Sequence, residues 1–127
     1  MPSQEPRGPR QIYKALLWSC KGLSAAWRFE SSFRLEVYLC LVLVPLGFWL
    51  GRGINEKAIL VGSLLLVLSV ELVNSAIEAI VDKVSPEFHE LAGRAKDLGS
   101  AAVFVLMLNV MVCWGLVVWR YIVELRS

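Results

Sequence analysis

Histidine occurs once in this chain, at His89, and cysteine three times, at Cys20, Cys40 and Cys113. An odd number of cysteines without CxxC spacing points to neither a disulfide framework nor a zinc site. Packing as small hydrophobes accounts for them. The single histidine has no second imidazole with which to hold a metal, and its charged surroundings suit a solvated loop. Phosphate-binding glycine motifs are missing too. Gly51-Arg52-Gly53 lacks the residues that would make it a Walker A, Rossmann or protein-kinase loop. There is no internal repeat and no low-complexity tract. Met1 to Arg10 is polar, with proline and arginine, and no apolar h-region follows it. We expect a short mobile leader over residues 1–10 and no cleaved signal peptide.

What the chain has in quantity is apolar surface. Of its 127 residues, 57% are hydrophobic, and the mean hydropathy is +0.60. Both values are too high for a soluble domain of this length, so one membrane-embedded domain over 1–127 is the expected organisation. Residues 11–30 read as an amphipathic helix. Leu16, Leu23 and Trp27 fall within about 60° of Ile12, while Lys14, Lys21 and Arg28 recur on the opposite face. Such a helix suits the plane of an anionic membrane surface. The alternating aromatics and charges from Trp27 to Glu36 suit headgroup depth.

Three apolar stretches follow, at 35–50, 58–84 and 98–119, each a candidate transmembrane helix. Pro45 in the first predicts a kink or a locally thinned bilayer. Gly51 to Lys57 reads as a tight polar turn. Pro86 ends the second span, since the residue before proline disfavours the α region. Ser85 to Asp97 is expected to be a charged connector. The predicted fold is thus all-α, with a surface helix and three spans. With the N-terminus inside, the inner segments hold Arg7, Arg10, Lys14, Lys21, Arg28, Arg34, Lys83, Arg94 and Lys96. The outer segments hold only Arg52, Lys57, Arg120 and Arg126. The positive-inside rule therefore places the N-terminus and the connector in the cytoplasm.

The second span breaks the rule that a membrane helix stays apolar. Asn74, Ser75, Glu78 and Asp82 fall within about 60° of Glu71 on one helix face, with Leu72, Val73, Ile77 and Ile80 elsewhere. Ionisable groups there cost roughly 2.5–3.5 kcal/mol each on insertion scales and mark a functional site. By helix rise, Glu71 lies about 21 Å beyond Lys57, in the far third of the hydrocarbon layer. Glu78 and Asp82 approach the cytoplasmic interface, where Glu30, Lys96 and Asp97 also fall. Glu30 and Glu78 have the chemistry to share Mg2+, which prefers a few carboxylates plus phosphate oxygens. Lys96 suits a phosphate. Glu71, deeper and partly desolvated, suits a general base acting on a membrane-borne hydroxyl, with Asn74 one turn on to orient it. On these residues alone a kinase, an ion-coupled transporter and a channel subunit all stay open.

The run Glu71-Leu72-Val73-Asn74-Ser75-Ala76-Ile77-Glu78, continued to Asp82, and the run Ser85-Pro86-Glu87-Phe88-His89-Glu90-Leu91-Ala92-Gly93-Arg94-Ala95-Lys96-Asp97-Leu98-Gly99-Ser100 resemble the prokaryotic-type diacylglycerol kinase family of bacteria. Lys21-Gly22-Leu23, Ala25-Ala26-Trp27 and Glu30-Ser31-Ser32-Phe33-Arg34-Leu35-Glu36 are similar to it too, so the resemblance runs from about Gln11 to Trp119. It implies a homotrimeric enzyme of the bacterial inner membrane with active sites shared between subunits, its N-terminus and active site facing the cytoplasm. It implies transfer of the ATP γ-phosphate to the free hydroxyl of diacylglycerol, giving phosphatidic acid, with Mg2+ as the metal.

Carried onto matching positions, the resemblance makes Glu71 the catalytic base with Asn74 beside it, and Glu30 and Glu78 the metal ligands. Trp18, Glu87, Phe88, His89, Lys96 and Asp97 join those two on the nucleotide. Ala25, Ala26, Ser32, Phe33, Arg34, Glu36 and Ser100 join Glu71 on the lipid. Trp18 stands where relatives often have tyrosine, Ser24 where arginine is frequent, and Gln11 follows Arg10 where some have arginine. The metal and base positions are intact. The same residues have two other readings: an undecaprenol kinase of the sister family, similar over Glu71 to Asp82, and a small transport protein using Glu71 and Glu78 as an ion relay.

Overall fold

The structure, a computed structural model, describes residues 8–127. The expected leader lies outside the described residues as far as residue 7. Four helices follow one another: α1 (Pro9–Phe29), α2 (Ser31–Leu50), α3 (Gly53–Val84) and α4 (Glu90–Arg126). The first begins at Pro9 rather than Gln11. Proline fits the first helical turn, where its missing N–H would have found no partner.

A single residue separates α1 from α2. Glu30, extended at φ −115 and ψ 102, closes one helix and opens the next. Such a sharp joint strands the last carbonyls of α1, and the Arg34 guanidinium covers two of them. Its Nη1 donates to Trp27 O at 2.7 Å and to Arg28 O at 3.3 Å. Trp27 also packs edge-on against Tyr38, with ring centroids 5.5 Å apart. Glu30 is thereby held at a fixed corner.

The helix α2 starts at Ser31, a turn before the apolar run at Leu35, and stays helical through Pro45. Its turn into α3 is tight. A Cβ on Gly51 would press on Gly47 O and Lys57, and Gly53 sits at φ +64, where a side chain is strained. The helix α3 has 32 residues and α4 has 37, or about 48 and 55 Å by helix rise, well beyond a bilayer core of about 30 Å. The connector expected over Ser85–Asp97 is a loop only as far as His89. The imidazole Nδ1 accepts from Leu91 N–H at 3.1 Å and caps α4, so the charged stretch from Glu90 is helical. Charge marks solvent there, not coil.

Packing centres on α3, which runs antiparallel to α4 along most of its length and also carries α2; α1 meets only α2 to any extent. A small core of Leu50, Leu60 and Val117, with Trp114 and Tyr121 against it, closes the end away from the α3–α4 loop. Elsewhere large apolar side chains are exposed, among them Val42, Trp49, Leu66, Met111 and Leu116. An apolar surface of this extent belongs in lipid or against other chains. The three helices α2, α3 and α4 are long and apolar enough to cross a membrane.

Candidate active site

Helical periodicity brings Glu71, Asn74 and Glu78 to one side of α3, facing α2 and α4. The corner residue Glu30 and the first turns of α2 bring Ser32 and Glu36 to the same place, and α4 adds Ser100. Together they line a cleft of about 390 Å³. Four carboxylates, those of Glu30, Glu36, Glu71 and Glu78, share it, and no lysine or arginine lines it. Glu36, Glu71 and Asn74 are buried. Glu36 Oε2 and Asn74 Oδ1 are sealed from solvent without a hydrogen-bond partner. In a folded core such groups would be paired, so they mark a place shaped for chemistry.

The close approach of α4 at this point depends on Gly99. A Cβ there would overlap Asn74 Oδ1, so the Asn74 amide rests on bare backbone. The small run Gly99 to Ala102 is visible in the sequence as a place where helices approach closely. Which side chain needs the room is visible only in the fold.

A second cleft, of about 160 Å³, lies at the α3–α4 loop. Glu87, Phe88, His89 and Lys96 line it with Asp82. Lys96 Nζ donates to Asp82 Oδ1 at 2.6 Å, and both side chains are substantially exposed. Asp82 was visible on the acidic face of α3, but its grip on Lys96 joins two helices across the loop. Ala25 and Ala26 line a third groove, about 650 Å³, between α1 and α3, to which Glu30 also contributes. Glu30 therefore stands between this groove and the four-carboxylate cleft.

Other candidate residues lie apart from these clefts. Trp18 and Asp97 are exposed and line none of the three. Phe33 is buried in the packing of α2. Arg34 is occupied in closing α1.

Among the described residues no three histidine, cysteine, aspartate or glutamate side chains are grouped closely enough to hold a metal ion by themselves. Glu30 and Glu78 nonetheless fit one kind of ion. Two hard carboxylates on one cleft suit magnesium, whose remaining ligands come from phosphate and water.

Residues 17–118 match the family model described as prokaryotic diacylglycerol kinase. The diacylglycerol kinase of Escherichia coli is 43% identical over 114 residues, which is 90% of this chain and 93% of that protein. The Pseudomonas aeruginosa diacylglycerol kinase is 45% identical over 114 residues, with the same shares of each chain. That of Helicobacter pylori is 39% identical over 119 residues, 94% of this chain and 90% of its own. The matched residues include α2, α3, the α3–α4 loop and every lining residue of the four-carboxylate cleft. The chain belongs to the prokaryotic diacylglycerol kinase family.

Proposed function

We propose that the four-carboxylate cleft is where this diacylglycerol kinase transfers the γ-phosphate of ATP to the free hydroxyl of diacylglycerol, giving phosphatidic acid and ADP. The observation that carries this assignment is the meeting of Glu71 and Asn74 with Glu30 and Glu78, from separate helices, in one cleft within a membrane-spanning bundle.

Glu71 acts as general base. It takes the hydroxyl proton as the lipid oxygen bonds to the γ-phosphorus and the bond from that phosphorus to ADP breaks. Asn74, one turn on, orients the Glu71 carboxylate and the hydroxyl. Glu71 and Glu78 stand two turns apart, about 10 Å along the axis, which leaves room for the reacting groups between base and metal ligands. Glu30 and Glu78 would hold Mg2+ together with the nucleotide, and the ion would supply charge neutralisation at the phosphates. Lys96 exchanges Asp82 for a phosphate oxygen, an exchange that costs little because the pair is exposed and screened by solvent. Glu87, Phe88 and His89 are at hand for the nucleotide. Ser32, Glu36 and Ser100 line the lipid side.

The active enzyme is a homotrimer with shared sites. Trp18 and Asp97 line no cleft with the carboxylates within one chain, and broad apolar faces are exposed, which supports a site completed by a neighbouring copy. It resides in the bacterial inner membrane with α1 on the cytoplasmic surface. Ile12, Leu16, Leu23 and Trp27 of α1 are exposed and available to the lipid interface.

The test is an assay in mixed micelles with labelled ATP, offering diacylglycerol and undecaprenol separately, on protein whose native mass is measured. Trimeric wild-type enzyme yields phosphatidic acid. Glu71→Gln lowers kcat by roughly 10²–10⁴-fold with nucleotide binding retained. Label found only in the polyprenol product overturns the lipid assignment, an active monomer overturns the shared site, and a near wild-type rate for Glu71→Gln removes it as the base.

A further inference from the structure

At the end of the bundle away from the carboxylate cleft, four charges form a closed ring. Arg120 is its hub. Its Nη1 donates to Glu124 Oε2 at 2.8 Å, and its Nη2 donates to Glu56 Oε2 at 2.9 Å and to Leu50 O at 3.2 Å. Arg52 completes the ring, with Nη1 donating to Glu124 Oε1 at 2.6 Å and its backbone N–H to Glu56 Oε2 at 2.7 Å. The end of α2, the start of α3 and the last turns of α4 are thus tied at one point. Arg120 and Glu124 lie beyond the residues that match the family model.

Between ring and cleft, the α3–α4 contact rests on apolar side chains such as Leu60, Leu64, Val67, Val103 and Val117. Apolar packing is non-directional, and one helix can settle against another a turn away, about 5.4 Å, at modest cost. Register must come from directional contacts. Three side-chain hydrogen bonds or ion pairs join α3 to α4: Glu56 with Arg120, Leu60 O with Trp114 Nε1 at 3.3 Å, and Asp82 with Lys96. Their order is that of one antiparallel register, and Asn74 on Gly99 falls in the same sequence. The Asp82–Lys96 pair is the most exposed of these, and it is the one given up when Lys96 turns to a phosphate. Register then rests on the other end.

We infer that Arg120 and Glu56 are positioning residues for the phosphoryl transfer. Their ring sets the axial register of α4 on α3, and this seats Gly99 against Asn74 beside the base. The inference rests on the assignment of the cleft as the kinase site. It adds residues that touch neither substrate: Arg120 lies about 30 Å along α4 from Ser100, and Glu56 about 22 Å along α3 from Glu71.

The test is a double-mutant cycle in the micelle assay, with kcat expressed per folded protein. Arg120→Met lowers kcat about 10-fold while both KM values stay within about two-fold, and Arg120→Lys, which still bridges Glu56 and Glu124, restores most of the rate. In a Gly99→Ala background, where Asn74 is already displaced, Arg120→Met has almost no further effect. Should Arg120→Met fail to fold, Glu56→Gln takes its place in the cycle, since it keeps an oxygen for the Arg52 N–H. A ring that only stabilises the fold lowers the melting temperature and leaves kcat per folded protein unchanged; that result, or losses that multiply in full in the double mutant, overturns the inference. Wild-type activity on diacylglycerol reports separately on the kinase assignment.

Discussion

Adding one methyl group at Gly99 tests whether the α3–α4 contact serves catalysis or only packing. In an isolated helix, Gly→Ala gains up to about 1 kcal/mol. Here the new Cβ meets Asn74 Oδ1 well inside contact distance, and overpacking of that kind costs about 1–3 kcal/mol. The gain offsets only part of the cost, so Gly99→Ala changes stability by between about 0 and −2 kcal/mol and the protein still folds. Activity has no such compensation. Either the Asn74 amide rotates away or α4 moves off α3, a displacement on the order of 1 Å, and misplacement on that scale costs up to roughly 10²-fold in rate. We expect kcat to fall about 10- to 100-fold, with KM for ATP little changed where the Asn74 amide is what yields, since the added Cβ meets no group of the α3–α4 loop. Steady-state kinetics in mixed micelles, with a melting curve on the same preparation, give both numbers. A kcat within about two-fold of wild type would refute the reasoning, since it would mean that the seat of Asn74 has no part in the reaction.

Glu30→Gln and Glu78→Gln should each abolish or greatly reduce turnover while the proposed trimer still assembles; either variant working normally at limiting magnesium removes that residue as a ligand. Lys96→Met should raise the KM for ATP or lower kcat and leave the KM for lipid nearly unchanged, whereas an effect confined to the lipid KM argues against a phosphate contact.

The four helices were legible from hydropathy and periodicity, but their ends were not. Hydropathy reports where lipid touches a helix. It is blind to the turns of α3 from Gly53 and of α4 from Glu90 and past Trp119, which stay helical on capping and ion pairs. For the site, Glu71, Asn74 and Glu78 could be read as one face because a single helix sets their spacing. Glu36 and Ser100 came only from the family resemblance, since no local period links α2 or α4 to that face. Glu30 was readable as lying near the interface, yet its fixed corner depends on Arg34 reaching back to α1. Asp82 with Lys96, and Arg120 with Glu56, are contacts across helices, and charge patterning along one helix does not reveal them.

The two ends of the bundle treat their charges in opposite ways, and the contrast bears on function. At the ring, each carboxylate has a guanidinium within hydrogen-bonding distance, although Arg120 Nε is itself buried without a partner. At the cleft, four carboxylates share one lining with no basic side chain among them, and two buried polar oxygens there have no partner. Crowded like charges in a membrane are unfavourable unless protons or cations join them. The proposed Mg2+ would relieve this repulsion on binding, so the crowding favours a cation at the cleft. The charge-paired ring ties α2, α3 and α4 together at the other end. Weakening the ring, as in Arg120→Met, should thus lower the melting temperature most when magnesium is absent and the carboxylates are least compensated, and an equal drop with and without magnesium would refute this coupling.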